Sequence, residues 1–280
     1  RATSSGSRIN SGGYVEFVAP HVPRLDFSSW QTSSVGCPFL KLEPQRTNYV
    51  YSSQLLQGGT VAWASSSLRS FVTNSITAPD SSSLVCLVTE SANSFSVRRF
   101  VSQSITSVTA GSTGTYSIFV KRYSTSSNAR NIAINTQNAY GATVYFTLDG
   151  TGSWYVENAA APQTTNAFIS GATIEPMNDG WYRCSATAYH GTFGGFASTI
   201  RLIPFSGSDV GSSLLFDSSG SAVLGYTGSA NAGLYLWGAQ VESGSVSHRP
   251  FTFPYESNNS LVTSYISNSV STQVTRQADK

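Results

Sequence analysis

Charge is what this sequence has least of: only 11% of its 280 residues are Asp, Glu, Lys or Arg, against roughly 25% in an average soluble domain. Lys and Glu are strong helix formers. Their place is taken by 50 serines, 27 threonines and 24 glycines, so a mainly helical fold is nearly ruled out. The net charge is +2, and the 13 arginines and 3 lysines are scattered, with Arg98–Arg99 and Lys121–Arg122 the only adjacent pairs. The clustered basic face that nucleic acid requires is missing. Three cysteines, Cys37, Cys86 and Cys184, have no CxxC spacing, which argues against a disulfide framework or a zinc site. No apolar run approaches the roughly 18 residues of a spanning helix, so no membrane insertion is expected. A charged-then-apolar leader is also lacking, and Arg1 reads as an internal or processed start. Gly-Lys never occurs, and neither HExxH nor GxSxG is present. His21, His190 and His248 lie far apart in the sequence. The expectation is a protein that is not an enzyme.

What is present is aromatic and alternating. Fifteen Phe, 14 Tyr and 5 Trp supply enough apolar area to pack a core, which argues against disorder. The period is two almost everywhere. Val144, Phe146 and Leu148 oppose Tyr145 and Thr147. Tyr182, Cys184, Ala186 and Ala188 oppose Trp181, Arg183, Ser185, Thr187 and Tyr189. Leu234 and Leu236 oppose Tyr235 and Trp237. Further strands are expected at 95–101, 115–121, 168–175, 199–205 and 222–226. Turns such as Asp149-Gly150, Asn178-Asp179-Gly180 and Ser219-Gly220 separate them, and Cys86 within 84–88 reads as core. Many short strands with Gly, Asn, Asp and Ser turns predict an all-β antiparallel jelly-roll-like sandwich. We place it at 49–245, between an extended N-terminal arm (1–48) and a C-terminal arm (246–280). The second arm is rich in Pro and aromatics over 248–255, and apolar residues in extended arms point to assembly.

An aromatic platform beside planar polar groups is the economy of a sugar site. Trp63, Trp154, Tyr155 and Tyr189 lie in or beside Gly/Ser-rich stretches and are the candidate glycan contacts. Trp181 and Trp237, inside regular strands, read as core. Calcium is compatible with a β-sandwich, but no Asp-x-Asp-x-Asp-Gly loop supports it. No cofactor or metal is assigned.

Several segments resemble a family of phage virion proteins of the fibre, spike or head-fibre type. They are Arg1-Ala2-Thr3, Val22-Pro23-Arg24-Leu25-Asp26-Phe27, Lys41-Leu42-Glu43-Pro44-Gln45-Arg46-Thr47-Asn48, Thr77-Ala78-Pro79-Asp80 and Gly114–Lys121. Gly180-Trp181-Tyr182-Arg183, Leu234–Ser245, Thr263-Ser264-Tyr265-Ile266 and Val274–Asp279 complete the order. The resemblance implies a jelly-roll module similar to carbohydrate-binding modules, displayed on the virion and meeting host-surface polysaccharide. The implied partners are other virion proteins and copies of the chain itself, for which a trimer fits. It carries no catalytic set. The chain departs from the family at 246–262, an insert that suggests a packing arm, and at Ser267, where the family has Pro. Glu43, Arg46, Arg183 and Arg276 are expected to fix the arms onto the sandwich, and Gln240 and Glu242 share one side of a strand. The rivals are a purely structural cement or connector protein and a polysaccharide depolymerase.

Overall fold

The computed structural model describes residues 6–19, 22–27, 38–40, 46–51, 63–66, 68–90, 99–105, 108–124, 129–136, 142–157, 168–190, 198–206, 215–216, 222–223, 228–243 and 274–276. In chain order the strands are β1 (Gly6–Ile9), β2 (Val15–Val18), β3 (Leu25–Asp26), β4 (Phe39–Leu40), β5 (Arg46–Asn48), β6 (Ala64–Ser66), β7 (Leu68–Thr73), β8 (Val85–Glu90), β9 (Phe100–Ile105) and β10 (Thr113–Arg122). There follow β11 (Asn131–Thr136), β12 (Ala142–Thr147), β13 (Ser153–Glu157), β14 (Phe168–Pro176), β15 (Tyr182–Tyr189), β16 (Ser198–Phe205), β17 (Leu215–Phe216), β18 (Ala222–Val223), β19 (Gly233–Ser243) and β20 (Val274–Arg276). The strand expected at 95–101 is β9, which begins at Phe100; residues 95–98 lie outside the described set, as do 224–226.

Two six-stranded antiparallel sheets form a jelly-roll-like sandwich. The first has the order β14-β15-β10-β19-β8-β7 and the second β13-β12-β11-β16-β9-β6. Between them the inward rows meet: Cys86, Val88, Tyr116, Ile118, Cys184, Leu234 and Leu236 against Val101, Ile132, Ile134, Val144, Phe146, Ile200 and Leu202. Each such Val, Leu, Ile or Phe contributes about 2 kcal/mol by leaving water. Cys86 and Cys184 are free thiols in this core, and burial pushes the Cys184 thiol well above its ordinary range.

The first sheet is covered on its outer face as well. Val85, Leu87, Phe119, Trp181, Tyr235 and Trp237 form a second buried cluster with Val15 of β2 and Ala78. The N-terminal arm therefore carries a hairpin, β1–β2, that seals this face. Val15 N–H donates to the Pro79 carbonyl at 2.7 Å, and Trp181 Nε1–H donates to that of Thr77 at 2.9 Å. Trp237 meets Phe119 edge-on with centroids 5.4 Å apart, and the Arg183 guanidinium lies 5.3 Å from the same ring. The hairpin turn is tied down by the Tyr14 hydroxyl, which donates to Asp179 Oδ2 at 2.8 Å, and by the Asn178 amide, which donates to the Gly12 carbonyl.

The motifs of the two arms meet beside β19. β8 pairs with β19 only along Gly233–Leu236. Past a bulge at Gly238, whose φ of +68° suits glycine, the vacated edge of β19 is taken by residues 48–50. Tyr49 N–H donates to the Val241 carbonyl at 2.9 Å. The Asn48 amide donates to the Ala239 carbonyl at 3.2 Å, and its Oδ1 accepts from Val241 N–H at 3.1 Å and Val50 N–H at 3.0 Å. β20 pairs antiparallel with β5, Arg276 opposite Arg46. Tyr51 then crosses to the second sheet: its N–H donates to Gln103 Oε1 at 2.8 Å, and its carbonyl accepts from Gln103 Nε2 at 3.1 Å. At the opposite end of β8, Glu90 and Arg130 form a buried bidentate pair with N···O distances of 2.5 and 2.9 Å.

Asn48 is fully buried, and replacing it leaves backbone groups of β19 without partners. Asn48→Ala is expected to lower unfolding free energy by about 2–4 kcal/mol, read by urea denaturation. A loss below about 1 kcal/mol would mean that the arm does not close this edge.

Candidate functional site

The surface that stands out is the edge strand β13. It forms a hairpin with β12 in the register Tyr145↔Tyr155 and Phe146↔Trp154. The connecting turn is held from beneath. Gly152 N–H donates to the Asp149 carbonyl at 2.8 Å, and the Tyr182 hydroxyl donates to that of Gly150 at 2.9 Å. Burial raises the Tyr182 pKa, which keeps the phenol protonated and a donor. Gly152 has φ +80°, and a side chain there would run into Ile174 of β14.

On this fixed edge Trp154 is 48% and Tyr155 53% exposed. Successive strand residues face opposite ways, so the two rings form separate platforms. Tyr155 lies on the outer face of the second sheet, its ring 6.2 Å from that of Tyr145, which packs edge-on against Phe205 at 5.3 Å. Trp154 shares the side of Phe146, toward the seam with β14, where Val156 and Ile174 are partly buried. Beside the Tyr145 row runs a polar one, Arg201–Asn135–Thr143. Arg201 lies over Phe100 at 4.4 Å, and the Asn135 amide donates to Thr143 Oγ1 at 2.8 Å. These groups are buried and flank the Tyr145 row on the same face.

The other sequence candidates are placed as follows. Trp63 is corrected: it is 4% exposed in the inter-sheet core, and its indole N–H donates to the Tyr51 carbonyl at 3.2 Å. Its Gly/Ser-rich flanks suggested a surface ring, but its place in the fold is beneath the crossing segment that closes the sandwich. Tyr189 is half-buried and pairs with Phe168, ring centroids 5.3 Å apart, on the outer face of the first sheet. Trp181 and Trp237 are core. Gln240 hydrogen-bonds Glu242, and both are buried. Arg183 is buried against Phe119. Glu43 lies outside the described residues. Sequence reasoning missed Tyr145 and Phe205 as supports of Tyr155. The signal for Tyr145 was its place opposite Val144 in the alternation.

Among the described residues no group of three or more His, Cys, Asp or Glu could hold a metal ion. His190 is buried at the end of β15, its Nε2 2.8 Å from the Tyr116 hydroxyl. Burial holds its pKa down at about 4.

No family model matches the chain, and no curated protein matches it. Among solved structures it is similar to the CBM22-1 xylan-binding domain of Paenibacillus barcinonensis Xyn10C, with 13% identity over 68% of this chain and 91% of that one, at a TM-score of 0.35. It is also similar to the CBM22-1–GH10 modules of Clostridium thermocellum xylanase 10B complexed with xylohexaose. There the identity is 14% over 78% of this chain and 30% of that one, at a TM-score of 0.33. The fold assignment rests on the strand order itself.

Unfolded His190 takes up a proton near pH 6.5, but the folded one does so only near 4. The stability held by keeping it neutral is complete above pH 6.5 and is lost as pH falls toward 4, by about 3 kcal/mol in all. Thermal melts across this range should show the slope in the parent chain and a flatter one in His190→Gln.

Proposed function

We propose that the chain is a phage virion appendage protein, a fibre, spike or head decoration, whose sandwich holds host-surface glycans on Trp154 and Tyr155. The observation that carries the glycan reading is that two large rings stand half-exposed on a pinned edge strand, while the other tryptophans among the described residues, Trp63, Trp181 and Trp237, are buried. A flat ring with a polar tip offers a pyranose its apolar face and a hydrogen bond. The virion reading rests on the ordered motifs that run from Arg1 to Asp279. Weak single contacts multiply when many copies are displayed, which suits a homo-oligomer on a particle surface.

A second reading, a cement or connector protein, is favoured by a different observation. Phe17, Val22, Leu25 and Leu40 of the N-terminal arm are all exposed, an apolar set that fits contact with other virion proteins.

Labelled protein is expected to bind host cells saturably, with soluble host polysaccharide competing. Trp154→Ala and Tyr155→Ala should each weaken that binding about tenfold, or roughly 1.4 kcal/mol, with melting unchanged because both rings are half in water. Cell binding that polysaccharide does not compete, or that both variants retain in full, would shift the assignment to the structural reading.

A further inference from the structure

The geometry points to an extended, uncharged polysaccharide as the ligand, laid across the side of the sandwich where β13 and β14 meet; this rests on the glycan reading above. β13 and β14 are the end strands of the two sheets, and Gly152, just before β13, abuts Ile174 of β14. Aromatic rings occur on three sides of this one edge. Tyr155 stands on the outer face of the second sheet and Trp154 faces the seam. The Phe168–Tyr189 pair stands on the outer face of the first sheet.

Packed sheets lie about 10 Å apart, so rings on their two outer faces are farther apart than one sugar can bridge. A ligand that uses both must be a chain of several sugars. Hydroxyls suited to such a chain lie along the route. Ser153 and Ser170 are exposed, and Thr173 hydrogen-bonds Ser185 at the rim. Among the described residues β13 pairs only with β12.

Charge selects the class of polymer. Residues 142–157 and 168–176 contain Asp149, Glu157 and Glu175 but no Lys or Arg. Cations lie beside these acids, with Arg183 opposite Glu175 and Arg122 acting with Asp149 on Tyr182. The edge therefore has no surplus of positive charge to hold uronic or sulfated chains and suits neutral ones.

The test is a glycan array of neutral ladders, from disaccharide to octasaccharide, of β-1,4-xylan, β-1,4-glucan, mannan and galactan, beside sulfated and uronic polymers. Affinity for the bound ladder should rise about tenfold or more from disaccharide to hexasaccharide. Tyr189→Leu, which keeps an apolar contact for Phe168 but removes the flat ring, should abolish most of that rise and leave disaccharide binding and the melting temperature unchanged. Tyr189→Ser serves as the second variant if the first melts early. Equal affinity for disaccharide and hexasaccharide, or a rise that survives both variants, would overturn the track while leaving the glycan reading intact. Tighter binding of the anionic polymers would overturn the neutral class. An array on which nothing binds would sink both readings together.

Discussion

Burial of both faces of the first sheet is the constraint on which the rest of this structure depends. Its central pair, β10 and β19, has Ile118, Leu234 and Leu236 toward the inter-sheet core and Phe119, Tyr235 and Trp237 toward the outside. A sheet apolar on both sides needs a third layer. The β1–β2 hairpin provides it at one end, where Val15 reaches the Trp181–Trp237 cluster. At the other end the outer face is polar, with Thr115, Ser117, Gln240 and Glu242 buried, and the edge of β19 left open by β8 is filled by Asn48 and Tyr49. The N-terminal arm is thus part of the fold, because the exposed alternative leaves indole rings and unpaired main-chain groups in water.

The same economy explains the motifs. The segment ending in Arg46-Thr47-Asn48, the strand Leu234–Ser243 and the segment Val274-Thr275-Arg276 are far apart in sequence and adjacent in space. Among their described side chains, Asn48, Gln240 and Glu242 serve hydrogen bonds inside the molecule. Asn48 satisfies three main-chain groups, Gln240 bonds Glu242, and Arg183 covers Phe119. These side chains are fastenings within the fold, while the surface rings Trp154 and Tyr155 lie outside the motifs. The proposed glycan contacts sit instead on the edge strand β13. The tie between Tyr182 and Gly150 gives that edge a rigid seat in the first sheet.

Much of this was legible from alternation alone. The inward and outward rows of β12, β15 and the first half of β19 follow the two-residue period read from the sequence, since a strand has only two faces and hydrophobic pattern chooses between them. Past the Gly238 bulge the phase of β19 shifts, and Ala239 and Val241 face inward. Trp181 and Trp237 read as core from their setting in or beside strands, and both are buried, in the outer cluster with Val15 and Ala78. The exclusion of helix came from the scarcity of Lys and Glu. Alternation also requires Trp154 and Tyr155 to point opposite ways, so adjacent rings in the sequence become two platforms.

Period and composition say which side of a strand is apolar, but not what lies against it. Trp63 and Trp154 have similar polar flanks. One is sealed under the Tyr51 crossing and the other stands on an edge, and only the order of strands in the sheets separates them. That order comes from contacts between residues far apart in the chain: β13 last in one sheet, β14 last in the other, and β5 beside β19. No local signal encodes such neighbours, because the free energy that selects them is released only when both sheets close over a shared core. The sequence by itself determined the strands and their faces; the tertiary structure decided which faces meet water.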